Sequence, residues 1–301
     1  MSINVSPIAG VDAEINDIRR RTAALINAEI LPNEGKIWGS ADGKTVSDEE
    51  RDRLRHRAAG LREEVKAKVK DAGLWAPHLP AEYGGMGLDF LQLAYMYEVL
   101  AYATGAATLF GVAAPNSGNS TILVKYGTEE QKRKWLLPLI DGTLESGFSM
   151  TEPDAAGSDP RSLATEAVRE GDEWVINGHK WFITNASVAD IVLVFAETNP
   201  EGRPHRHASV FVVPAGTPGM EIVRDIATMA HPDTEYGRPG NHAEIVFHDC
   251  RVPADHLIGQ PGEGFVLAQQ RLGGGRIRPT VVEYLHSDIA PLLPTPLVVP
   301  P

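Results

Sequence analysis

The spacing of apolar residues changes near Glu145, and that change limits the fold more than any other feature of this 301-residue chain. Before it, apolar positions recur three and four apart. Val11, Ile15, Ile18, Leu25 and Ile26 fall near one helical face, and Leu54, Ala58, Leu61, Val65 and Val69 near another. Ser47-x-x-Glu50 and Thr128-x-x-Gln131 are capping-box patterns, and Gly73 is a helix stop. Leu31–Thr45 reads as a loop and Pro80–Gly87 as a turn cluster. Pro138 followed by Gly142 is read as a helix end. After Glu145, short runs take over: Ile191–Phe195, Val210–Val213 and Glu244–Phe247 read as strands. Gly264–Leu272 is helical again, until Gly273-Gly274-Gly275 interrupts it.

A helical block, a β block and a return to helix predict an α+β chain rather than a doubly wound sheet. The expected architecture is a helical N-terminal domain over 1–144, an antiparallel β-barrel or sandwich over 145–258, and an incomplete helical domain over 259–301.

Charge and cysteine content narrow the function classes. With 28 basic and 40 acidic residues the net charge is -12, which disfavours nucleic acid and anionic membrane surfaces as partners. The single cysteine, Cys250, excludes an intramolecular disulfide and a cysteine-based zinc cluster. No run of eighteen apolar residues suggests a membrane span, and Met1–Val5 lacks the basic start of a signal peptide, so the chain reads as cytoplasmic. His205, His207, His231, His242 and His248 read as loop or strand-edge histidines, and no metal is assigned. Arg51, Arg53, Arg55 and Arg57 alternate on a helix, so they spread around it as a solvated face.

Two stretches carry the chemistry. Gly147–Asp159 begins with an apolar run and breaks into Thr151-Glu152-Pro153 and Gly157-Ser158-Asp159. Taken alone it reads first as a strand entering a surface loop; its free amides and hydroxyls also suit an anion or the polar rim of a flat heterocycle. In Ile176–Asn185, Asn177-Gly178 between alternating apolar residues predicts a tight hairpin. Phe182 and Thr184, two apart on the strand leaving it, are expected to share a face, one stacking on a ligand and the other hydrogen-bonding. A core Phe beside a solvated Thr is the plainer alternative.

Together the stretches resemble the acyl-CoA dehydrogenase family, whose flavin domain carries a T-E-P-x-A-G-S-D-like segment followed by I-N-G-x-K-x-x-I-T-N. The resemblance runs from about Asp12 to Arg276. It is nearest to the branch sometimes fused to a phosphotransferase-like kinase domain, on Ala114–Asn119 and Arg206–Val210. It implies FAD as hydride acceptor in the α,β-dehydrogenation of an acyl-CoA thioester, an electron-transfer flavoprotein as acceptor, and a homo-oligomer at full length. It assigns Phe148, Met150, Thr151, Phe182, Ile183 and Thr184 to the flavin, and Ser158 and Arg276 to the substrate side.

The resemblance puts the general base in a C-terminal helical bundle, or on the helix before the arginine, where the nearest slot holds Gln270, an amide. The proline-rich residues after Arg276 are expected to be a truncated or frame-shifted end, with impaired activity, a natural short variant being the alternative. A flavin-dependent monooxygenase or oxidase on the same fold, and a non-catalytic remnant, remain as alternatives.

Overall fold

The computed structural model describes residues 2–39, 47–157, 159–203, 205–229 and 240–277. Ser158, His231 and everything after Ile277 lie outside the described residues, as does the side chain of Arg276. The chain divides into two compact units, one built from residues up to Ala113 together with those from Gly274 onward, and the other from Ala114–Gly273.

The first unit is helical. α1 (Ala13–Leu25) is capped by the Asp12 carboxylate, which accepts from the Glu14 amide. α2 (Asp48–Asp71) is capped by Ser47 as the sequence suggests, its hydroxyl accepting from the Glu50 amide. α3 (Phe90–Leu100) opens with a reciprocal capping box between Asp89 and Gln92 that sequence reading passed over. Part of the expected 31–45 loop is helical, with a tight turn at Leu31–Asn33 and a helical turn at Glu34–Ile37. Ile26, Ile30, Val69, Met96, Leu100 and Phe110 form a buried core. Burial of each such side chain stabilises the unit by about 1.5–3 kcal/mol.

The second unit sets helices against a sheet. α4 (Asn116–Tyr126) is followed by helical residues 129–141, opened by the expected Thr128–Gln131 capping box. Pro138 does not end that segment. It sits in the first turn of Leu137–Asp141, behind a widened turn at Lys132–Leu136, where its missing N–H costs nothing. Gly142, at φ 81°, ends it.

Eight strands follow: β1 (Ser146–Ser149), β2 (Glu166–Glu170), β3 (Glu173–Thr184), β4 (Ile191–Glu197), β5 (Ala208–Pro214), β6 (Met220–Ile226), β7 (His242–Pro253) and β8 (Leu257–Ile258). The sheet order is β6-β7-β3-β2-β4-β5-β8, with β1 on β4. Most pairs are antiparallel, but β1–β4 and β2–β4 are parallel, so the sheet is mixed. Its core joins Trp174, Ile176, Ile183, Val192, Val194, Phe211, Ile245 and Phe247. α5 (Gly264–Ile277) closes the described chain and runs through Gly273-Gly274-Gly275, where an interruption was expected. Glycine weakens a helix by about 1 kcal/mol per residue without breaking its hydrogen-bond ladder.

The hairpin expected at Asn177-Gly178 is absent: β3 runs unbroken through both residues, and the turn lies at Gly171-Asp172 between β2 and β3. Gly178 is needed for a close approach instead, since a Cβ there would overlap the Thr165 side chain. Asn177 turns its side-chain oxygen to the Asp249 amide at 2.8 Å. Among the described residues, no helix is long and apolar enough to cross a membrane.

Candidate functional site

The end of β1 and the far half of β3 meet through a buried ion pair. Lys180 is fully buried and Glu152 is 5% exposed. Lys180 Nζ donates to Glu152 Oε1 at 2.8 Å and to the Met150 carbonyl at 2.9 Å. The Glu152 carboxylate also accepts from the amides of Ala164 at 2.6 Å and Thr165 at 2.9 Å. The Trp181 amide adds a bond to the Thr151 carbonyl at 3.0 Å. Three bonds to β3 and two to the segment before β2 thus fix Met150-Thr151-Glu152, which Pro153 keeps out of regular structure.

The electrostatics follow from that burial. Loss of water pushes the Lys180 ammonium down to about 8, against the opposing pull of Glu152. Burial alone would raise the Glu152 carboxyl, but the Lys180 charge and hydrogen bonds from Ala164, Lys180 and Thr165 outweigh it and hold it below the usual carboxylate range. Lys180 was legible only as a motif letter and Glu152 only as part of a loop; neither was assigned a role from sequence.

Past Lys180 the strand becomes irregular. The β3–β7 register slips between Lys180 and Ile183, and Phe182 takes φ 53°. Simple two-residue alternation therefore does not hold, because a bulge reorients the side chains it contains. Phe182 is 44% exposed, its ring set edge-on to Trp181 at 5.1 Å. Thr184 and Phe182 still converge, on His242: the Thr184 hydroxyl is 3.0 Å from His242 Nδ1, and the Phe182 ring is 6.3 Å from the imidazole. Ile183 turns its side chain into the core, and its carbonyl accepts from the Ala186 amide at 3.3 Å.

On the other side, α4 and α5 grip β1. Asn116 Oδ1 accepts from the Ser146 amide at 3.0 Å and the Ser146 hydroxyl at 2.8 Å. Asn119 Nδ2 donates to Ser146 Oγ at 2.8 Å and to the Gly147 carbonyl at 3.1 Å. Arg271 of α5 donates through Nε to Asn119 Oδ1 at 3.0 Å and lays its guanidinium over the Phe148 ring, 4.0 Å from the centroid. Sequence reading passed over Arg271, which follows two glutamines and carries no local signal that sets it apart from a solvated helix cation. Gln270 accepts from Lys125 Nζ at 2.8 Å.

Of the residues singled out from sequence, Phe148, Met150, Thr151, Phe182 and Thr184 are thus held by one set of bonds within the second unit. Half-exposed Thr151 leaves its hydroxyl without a partner among the described residues, beside exposed Phe182. An aromatic face, two hydroxyls and strand-end main chain suit a flat heterocycle with a polar rim, so this donor set fits a flavin. No group of three or more His, Cys, Asp or Glu side chains among the described residues is arranged to hold a metal ion.

Comparison with known proteins identifies the family. The acyl-CoA dehydrogenase N-terminal domain matches residues 12–143 and the middle domain of the same family matches 147–250. The chain is 42% identical over 229 residues to a Mycobacterium tuberculosis protein described as "Probable acyl-CoA dehydrogenase FadE2", covering 74% of this chain and 53% of that protein. It is 38% identical over 239 residues to acyl-CoA dehydrogenase family member 10 of Mus musculus, covering 74% of this chain and 22% of the mouse protein. A solved structure of an acyl-CoA dehydrogenase homologue from Mycobacterium abscessus superposes with a TM-score of 0.77 at 37% identity, covering 88% of this chain and 65% of that one. The chain therefore spans about half of the first relative and about a fifth of the second.

Proposed function

The chain belongs to the acyl-CoA dehydrogenase family, and from that premise we propose that its second unit holds FAD against β1 and β3 for the α,β-dehydrogenation of an acyl-CoA thioester. The observation that carries this reading is the Lys180–Glu152 staple, which seats Met150-Thr151 beside Phe182–Thr184 although about thirty residues separate them. Phe148 and Met150 would offer main-chain groups to the pyrimidine side, Thr151 and Thr184 their hydroxyls, and Phe182 its ring. FAD would supply the acceptance of hydride, which no side chain can provide. Electron-transfer flavoprotein as electron acceptor and assembly into a homo-oligomer belong to the same proposal.

The proton acceptor is not assigned. A thioester α-proton needs a base within hydrogen-bond reach. Glu152 is committed to its buried pair, Asp159 to bidentate contact with Arg161, and Gln270 is an amide. The test is titration of the purified protein with FAD, then anaerobic addition of saturated acyl-CoA thioesters while flavin absorbance is followed. One FAD per chain, with absorbance perturbed by the thioester, is expected. Failure to bind FAD sinks the cofactor reading, and an unperturbed bound flavin sinks the substrate reading.

A further inference from the structure

Arg271 is a cation without a carboxylate. Its hydrogen bond goes to the neutral Asn119 amide, and its guanidinium lies on the Phe148 ring. Among the described residues no acidic side chain pairs with it, and its two terminal nitrogens, with four N–H donors, have no partner. Burial lowers the guanidinium only to about 10, so it stays charged at neutral pH. A half-buried charge left unpaired is costly.

The fold gives up more to seat it. Gly118, inside α4, would bring a Cβ within 2.9 Å of Arg271 Cγ and 3.0 Å of its Nε, so any larger residue pushes the side chain off. Gly118 is the third residue of α4, in its first turn, where alanine is the better helix former. A pure helix-to-strand tie would not require this, because Asn116 and Asn119 already bind Ser146 and Gly147 without Arg271. Phe148, under the guanidinium, is also the residue whose main chain is assigned to the pyrimidine side of the flavin.

We infer that Arg271 supplies the positive charge that the pyrimidine edge of the flavin meets, so that it favours the reduced, anionic cofactor over the oxidised, neutral one. The inference rests on the FAD reading above. Two electrons and one proton, delivered to N5, leave net negative charge over the N1–C2 carbonyl region. An unpaired guanidinium stabilises that charge at no reorganisation cost. Arg271 sets the potential and is not a proton donor.

The experiment is a dithionite titration of FAD-loaded protein against a reference dye, with the affinity for oxidised FAD measured separately. Arg271→Gln should reduce the preference for reduced over oxidised flavin at least tenfold, a potential about 30 mV more negative for a two-electron couple. Arg271→Lys should keep most of the original potential. Gly118→Ala, which displaces the guanidinium without removing it, should move the potential in the same direction as Arg271→Gln and serves if that variant folds poorly. An unchanged potential in Arg271→Gln or Gly118→Ala with FAD still bound overturns the inference and leaves the flavin reading standing. Arg271→Lys falling as far as Arg271→Gln overturns it too. Failure of the unsubstituted protein to take up FAD overturns both.

Discussion

Replacing Lys180 by methionine should destabilise the second unit by about 3–5 kcal/mol, the range for breaking a buried ion pair from one side. Methionine keeps most of the volume of the lysine stem, so packing loss is small and electrostatics dominates. Glu152, 5% exposed, would keep the Ala164 and Thr165 amides but lose its counter-charge, and the Met150 carbonyl would lose its donor. For a unit of this size the loss corresponds to a melting shift of about 6–20 °C. Glu152→Gln should cost a similar amount, because it strands the ammonium in a site already hostile to its charge. The double variant Lys180→Met/Glu152→Gln should cost clearly less than the two single losses added, since neither charge is then left alone. Urea unfolding of the four proteins at pH 7 gives the cycle. Single losses below about 1 kcal/mol, within the range of exposed ion pairs, would show that the pair does not hold the loop. Strict additivity would show that the two charges do not depend on each other.

Three further outcomes follow from the same structure. Gly178→Ala should cost about 1–3 kcal/mol by overlap with Thr165, with part of the loss recovered in Gly178→Ala/Thr165→Ala, as read by urea midpoints. Cys250, buried with its thiol pushed up to about 11, should react with a disulfide reagent only at the rate of unfolding; immediate labelling of the native protein would contradict its placement. Lys180 titrates at about 8 in the folded chain against an ordinary 10.5, so between those values the unfolded chain holds the extra proton and stability rises with pH from this group. The difference between unsubstituted and Lys180→Met unfolding curves should therefore widen from pH 8 to 10.5, a comparison in which the opposing contribution of Cys250 cancels.

What the sequence made legible was mostly what local chemistry decides. The caps at Ser47 and Thr128, the stop at Gly142 and the strands around Val192, Val212 and Ile245 each follow from a few adjacent residues. The failures share a cause: a residue whose meaning comes from a distant partner. Asn177-Gly178 carries the composition of a tight turn, but Gly178 is there because Thr165, thirteen residues earlier, approaches too closely for a Cβ. Pro138 looks like a terminator until the preceding turn widens to make room for it. β6 (Met220–Ile226) was missed because its alternation is short: Met220 and Ile222 pack against the core, but a register slip between Ile222 and Arg224 breaks the pattern.

The candidate site divides along the same line. The side chains proposed to face a flavin were named from their motif positions, whereas the bonds that hold these segments together were not legible, because charged residues in a sequence default to solvent. Lys180 is read as a surface lysine until its Nζ is seen bonded to Met150 and Glu152, and Arg271 as an ordinary helix cation until its neighbours prove to be Asn119 and Phe148. The two cations then act oppositely. Lys180 has an anion within 2.8 Å, so its charge is spent on fixing the loop. Arg271 has none among the described residues, so on the inference above its field acts on the group that lies against Phe148. A chain needing only rigidity at β1 could have placed a carboxylate where Asn119 stands, closing a second ion pair. The amide keeps the hydrogen bond to Arg271 and donates to Gly147 as well, and it leaves the charge unneutralised.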